Sequence, residues 1–177
     1  AEMDFGLAPP IRDALRSAVE RGQLGYLSAA PVRDLAEACV QWQQRWHGWQ
    51  VDADRVRAVP DVLAGLELVC RHYLPAGAPV AVPMPCYMPF VPLLELLGNP
   101  AVPVPMHRTG IGWELDEDVL DAAFAGGARM LLLCNPHNPI GKVYTGAELE
   151  RIAAIVARHD GRVLSDEIHA PLVFDGA

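Results

Sequence analysis

Arg162-Val-Leu-Ser-Asp-Glu-Ile-His169 is the stretch on which the fold of this chain turns. Val163 and Leu164 read as the end of a buried strand that runs directly into Asp166, Glu167 and His169. Three ionisable groups after an apolar strand mark its carboxyl end as a place where something binds. In an open parallel α/β sheet, ligands sit there.

Working back from that strand, Thr145 and Glu148 form a capping box for a helix with Leu149, Ile152, Ala153 and Val156 inward. Met130–Cys134 is a fully apolar strand entering Asn135-Pro-His-Asn-Pro-Ile-Gly141. Asp116 caps a short helix that stops at Gly126-Gly127. Ala101–Met106 and Pro79–Val82 read as strands, with His107–Trp113 a polar loop and Pro83–Tyr87 a loop leading to a helix that ends near Gly98. Arg55–Val59 reads as the first strand, and Pro60-Asp61 opens the helix carrying Leu63, Leu66, Cys70 and Tyr73. Strands alternating with helices of this length predict a mostly parallel sheet covered on both faces, a three-layer α/β/α fold. Residues 1–50 form a separate region: an extended arm, a helix over Ile11, Ala14, Leu15 and Ala18, a loop centred on Tyr26, and a longer helix. That helix carries the apolar stripe Leu35, Ala38, Cys39, Trp42, Trp46 and Trp49, expected in a core or a subunit contact.

The 177 residues, 51% hydrophobic, are enough for a sizeable core. A net charge of -8 points away from nucleic acid and from membrane surfaces, and no apolar run is long enough to span a bilayer. Cys39, Cys70, Cys86 and Cys134 lie far apart in apolar runs, a spacing that suits neither a zinc site nor a disulfide scaffold and implies a cytoplasmic protein. Of the 14 Lys and Arg residues only Lys142 is a lysine, so chemistry that needs a lysine must use Lys142 or a residue outside these 177.

Three loops at carboxyl ends of predicted strands converge on one rim with Asp166 and His169: Pro60-Asp61-Val62, Pro83–Tyr87 and Asn135–Gly141. The helix opening at Asp61 aims free N–H groups and a positive dipole end at the rim, which suits a phosphate. Tyr87 offers a flat face, Asn138 an amide held between two prolines, and Asp166 a fixed negative charge. A phosphorylated, planar, protonated heterocycle would use all four. Each also has a plainer reading: Asp61 as a helix cap, Tyr87 as a packing residue, Asn138 as a turn former. Asp166 is the exception, because a carboxylate ending a buried strand is costly unless paired.

The chain resembles the fold-type I pyridoxal 5′-phosphate (PLP) enzymes, the aspartate aminotransferase superfamily. It is most similar to their cystathionine β-lyase branch, the MalY/PatB-like C–S lyases. The residues that carry the resemblance are Ala1-Glu-Met-Asp-Phe5, Gly25-Tyr26, Pro83–Tyr87, Asn135–Gly141 and Ser165-Asp-Glu-Ile-His169. The resemblance implies that Asp166 pairs with the pyridinium nitrogen of PLP, that Asn138 donates to its phenolic oxygen with His169 alongside, and that Tyr87 stacks on the ring. It assigns the phosphate to the backbone at Asp61 and Val62. It further implies a homodimer in which Tyr26 reaches the partner's site, with Met3, Asp4 and Phe5 bordering the pocket for a small amino-acid substrate. Ile140 stands where the family usually has threonine.

Family members are about twice as long, and their Schiff-base lysine would follow His169 by tens of residues. The resemblance therefore implies that residues 51–177 are the first part of the PLP-binding large domain, truncated before its later strands and its carboxyl-terminal domain. The complete sheet would have strand order 3-2-4-5-6-7-1, with this chain supplying the first five strands. The expected activity of the whole protein is α,β-elimination on a sulfur amino acid, and the 177 residues alone are expected to be inactive. A class I/II aminotransferase and a non-catalytic binding module of the same fold remain alternatives. V-L-S-D-E-I-H also mimics the DExH box of helicases, but the phosphate loop those enzymes need is absent.

Overall fold

In the computed structural model, residues 5–22, 25, 26, 28–110 and 112–174 are described, and the chain divides into two compact units, Ala1–Ala58 and Val59–Ala177. The first unit holds α1 (Pro9–Glu20), α2 (Ala29–His47) and a 3-10 turn, Ala53–Arg55. α1 starts where Pro9 and Pro10 occupy first-turn positions that need no N–H donor, and α2 ends at Gly48 in the left-handed conformation. The tryptophan stripe does not form a core here. Ala36 is the one buried residue of α2, and Trp42, Trp46 and Trp49 are 43%, 59% and 58% exposed. Arg55–Val59, expected as a strand, makes no ladder: Arg55 closes the 3-10 turn and the residues after it are irregular. Its alternation of apolar residues has no neighbour to pair with among the described residues.

The second unit is built on a five-stranded sheet. In chain order it comprises α3 (Val62–Tyr73), β1 (Val80–Met84), α4 (Phe90–Leu96), β2 (Ala101–Thr109), β3 (Gly112–Leu115), α5 (Glu117–Ala125), β4 (Met130–Cys134), α6 (Gly146–Arg158) and β5 (Arg162–Asp166). The spatial order is β3-β2-β1-β4-β5, all neighbours parallel except the β2–β3 hairpin. The four parallel strands thus take the order expected for them. The segment read as a polar loop, His107–Trp113, instead extends β2 and returns as β3, pairing Met106 with Leu115 and Arg108 with Trp113.

Strand residues alternate between two cores. Ala81, Val104, Leu131 and Leu133 pack with Leu120 and Phe124 of α5 and Ile152, Ile155 and Val156 of α6. Val80, Val82, Met130, Leu132 and Cys134 pack on the other face with Leu66 and Cys70 of α3 and Phe90 and Leu94 of α4. The unit is therefore an α/β/α sandwich, with β4 buried along its whole length.

Candidate functional site

The connections leaving β1 and β4 diverge. After β1 the chain turns into α4 on one face, and after β4 it turns into α6 on the other. Adjacent parallel strands whose connections part in this way open a crevice at their carboxyl ends, the place where open α/β sheets bind ligands. The β1–β4 ladder itself covers only Val80↔Met130 and Ala81↔Leu131, whereas β2 pairs with the whole of β1 and β4 with the whole of β5. Pro83 in β1 has no N–H to extend it. α3 also presents its start to this rim. The Arg162 guanidinium lies 5.7 Å from the ring centroid of Tyr73, which sets the end of α3 beside the beginning of β5. The 12-residue helix, about 18 Å long, therefore points its N-terminus back toward the strands' carboxyl ends.

The loop after β4 is tied to itself. The Tyr144 N–H donates to Asn135 Oδ1 at 3.1 Å, the His137 N–H to the Lys142 carbonyl at 2.7 Å, and the Gly141 N–H to the His137 carbonyl at 2.7 Å. Gly141 has φ +68°, which only glycine adopts without strain. Lys142 Nζ is held 2.7 Å from Glu148 Oε1 and lies 5.0 Å from the Tyr144 ring centroid. Glu148 closes the capping box with Thr145. Asn138 rides on the tip of this closed loop, and its amide makes no hydrogen bond to another described residue. The neighbouring His137 ring is buried, with Nδ1 3.2 Å from the Cys134 carbonyl and Nε2 2.8 Å from the Pro85 carbonyl. Burial pushes this imidazole below its usual range against the pull of the two carbonyls. A neutral ring has one N–H, and the shorter contact gives it to Pro85.

Asp166 ends β5 opposite Cys134 and is 7% exposed. Its Oδ1 accepts the Ile168 N–H at 3.1 Å, its carbonyl accepts the Asn135 N–H at 2.9 Å, and it has no ion-pair partner among the described residues. The Cys134 sulfur links the groups of the rim. It sits 3.3 Å from the Pro136 carbonyl, and burial pushes its thiol up to about 11, with the Asn138 N–H opposing and the Asp166 carboxylate adding to the rise. Tyr87 packs into the same cluster as Cys134, its half-buried ring edge-on to Phe90 at 5.4 Å. Asp166, Asn138 and Tyr87 therefore surround one corner of the sheet, and half-buried His169 follows on the turn leading to Ala170–Leu172. Asp61 turns back on α3, where its Oδ1 accepts the Ala64 N–H at 2.8 Å. This keeps its charge on its own helix and leaves the first-turn N–H groups of Val62 and Leu63 without helical acceptors. Tyr26 and Phe5 are exposed on the first unit, while Met3 and Asp4 lie outside the described residues.

A family profile described as aminotransferase class I and II matches residues 2–177. The chain belongs to that family. This aminotransferase-family chain is 39% identical over 176 residues to a cystathionine beta-lyase of Corynebacterium glutamicum, covering 99% of the chain and 46% of that protein. It is 33% identical to protein MalY of Escherichia coli over 98% of the chain and 45% of that protein. Among solved structures, cystalysin of Treponema denticola, which contains PLP, matches with a TM-score of 0.91 at 25% identity, over 100% of this chain and 45% of the other. The chain spans less than half the length of the curated relatives it matches.

PLP is the cofactor of this family, and the rim fits it. A buried carboxylate without a cation, a free amide, a half-buried aromatic face and open helix N–H groups are complementary to a protonated ring nitrogen, a phenolic oxygen, a flat ring and a phosphate. The residues that the sequence did not single out are those that hold the rim: His137, Asn135 and Cys134. A histidine between two Asn-Pro pairs was the available signal for the first.

Proposed function

We propose that this chain supplies the first part of a PLP-dependent C–S β-lyase that performs α,β-elimination on a sulfur amino acid. The observation that carries the reading is Asp166, a buried carboxylate with no cationic partner among the described residues, at the same corner as Asn138 and Tyr87. Asp166 would hold the proton on the ring nitrogen, Asn138 would donate to the phenolic oxygen, and Tyr87 would cover one ring face. The backbone at Asp61 and Val62 would receive the phosphate, and His169 would stand beside the phenolic oxygen. When bound, PLP supplies an electron sink for the bonds at the substrate α-carbon. Asp166 would keep the ring nitrogen protonated, which would make that sink effective, and the closed Asn135–Thr145 loop fixes the backbone that carries Asn138.

Covalent attachment of PLP needs a free amine. Lys142 is the one lysine of these 177 residues, and its ammonium is committed to Glu148 and the Tyr144 ring. The lysine would come from a part of the protein beyond these residues, so we expect no turnover from the 177 residues alone. The assembly we propose is a cytoplasmic homodimer. The full exposure of Tyr26 and the uncovered stripe on α2 support it, as does the lack among the described residues of any helix long and apolar enough to cross a membrane. Met3, Asp4 and Phe5 would border the substrate.

The test is to give the whole protein cystathionine and no keto acid. Elimination consumes one water and yields homocysteine, pyruvate and ammonia in equal amounts. The description of the matching family favours one second reading, an aminotransferase. That outcome is no pyruvate from cystathionine alone, with amino-group transfer seen only in a second arm to which a keto acid is added. A non-catalytic module of the same fold would do neither.

A further inference from the structure

We propose that His137 is a positioning residue: its Nε2–H clamps the loop after β1 to the loop after β4 and so sets the separation of Tyr87 from Asn138. The contact is 2.8 Å to the Pro85 carbonyl, between residues 52 apart in sequence, and the ring that makes it is 2% exposed. Its location gives it leverage. The β1–β4 ladder stops after Ala81↔Leu131, so the two strands' carboxyl ends are not held together by backbone pairing. Among the described residues no other hydrogen bond joins the two loops. Tyr87 lies two residues beyond the clamped carbonyl, and Asn138 is the residue after the clamp. The second ring nitrogen faces Cys134 within its own loop, and the ring edge rests on Tyr144 at 6.4 Å. With the one N–H on Nε2, the side of the imidazole that donates is the side that joins the loops.

That division suggests a pair of substitutions, made in the whole protein. Glutamine carries an amide N–H near the position of imidazole Nε2, and asparagine carries one near Nδ1. His137→Gln should keep the link to Pro85, while His137→Asn, whose N–H stops at the Nδ1 position, should lose it. The first readout is hydrogen exchange of the Cys86, Tyr87 and Met88 amides in the cofactor-free protein. We expect exchange roughly tenfold faster in His137→Asn and within about twofold of the parent in His137→Gln, the scale of one buried hydrogen bond. The second is the PLP dissociation constant, expected to rise about tenfold in His137→Asn alone. Equal behaviour of the two variants in exchange overturns the clamp. Should His137→Asn not fold, parent-like exchange in His137→Gln supports the clamp and tenfold faster exchange overturns it. The link to the ring site rests on the cofactor reading. A parent protein that binds no PLP sinks that reading, and exchange still decides the clamp.

Discussion

Asp166 is poised at a cost. A carboxylate at 7% exposure with a backbone N–H on it and no cation beside it is costly to bury. The cofactor-free protein bears that cost, and a protonated ring nitrogen would relieve it. Asp166→Asn in the whole protein should therefore act with opposite signs in its two states. The cofactor-free melting temperature should rise, while PLP retention on dialysis falls by roughly ten- to a hundredfold, the range for a charge-assisted hydrogen bond. Calorimetry of the cofactor-free variant checks the first; a lowered melting temperature there would contradict a strained carboxylate. Asp166, Asn138 and Tyr87 could be assigned to one rim because each lies at a strand's carboxyl end or in the loop just past one, and position along the chain carries that information. His137 was not, because its value lies in a contact with Pro85, 52 residues away, and no local pattern encodes it.

At the scale of elements, α6 starts and stops on features that can be tested separately. At its start, burial raises Glu148, but hydrogen bonds from Lys142 and Thr145 outweigh it and hold the carboxyl below its ordinary value. A depressed carboxyl contributes stability that is present above its unfolded value of about 4.3 and is lost as pH falls through the folded one. Melts between neutral pH and about pH 3 should therefore lose stability through the acid range, and Glu148→Gln should be less stable at pH 7 with a flatter profile. At its end, Gly161 leaves no room for a side chain. A Cβ there would lie 2.5 Å from Phe124 Cε1 and 2.9 Å from Val156 Cγ1. Gly161→Ala should cost about 1–3 kcal/mol by overpacking, read from denaturant midpoints. The capping box of α6 and the apolar runs of β1 and β4 could be read from sequence alone, whereas β5, read as buried at Val163 and Leu164, is buried only at Asp166. The hairpin could not, since His107–Trp113 mixes charges and glycine as loops do and is a strand only because β2 offers it an edge. Arg55–Val59 is the converse, a strand-like alternation with no edge to join among the described residues.

For the molecule as a whole, β5 is an end strand. Among the described residues it pairs with β4 alone, and Val163 is 42% exposed. An uncapped edge of a parallel sheet recruits other chains. The 177-residue protein should self-associate in sedimentation velocity as its concentration rises, and Val163→Lys should return it to the monomer. Monomeric behaviour of the unsubstituted chain at high concentration would argue that this edge is inert. The order of the four parallel strands was legible from family likeness, while the placement of the first unit's apolar residues was not. Amphipathic spacing says that a face will be covered but not by what.

Three of the four tryptophans stand together on or just beyond α2, with the Trp42 and Trp46 rings 5.4 Å apart, while Trp113 packs against the core of the second unit. The stripe is thus a built-in optical reporter. Whatever covers it will shift the emission of those indoles to shorter wavelength and shield them from iodide, so assembly can be followed by light with no label attached.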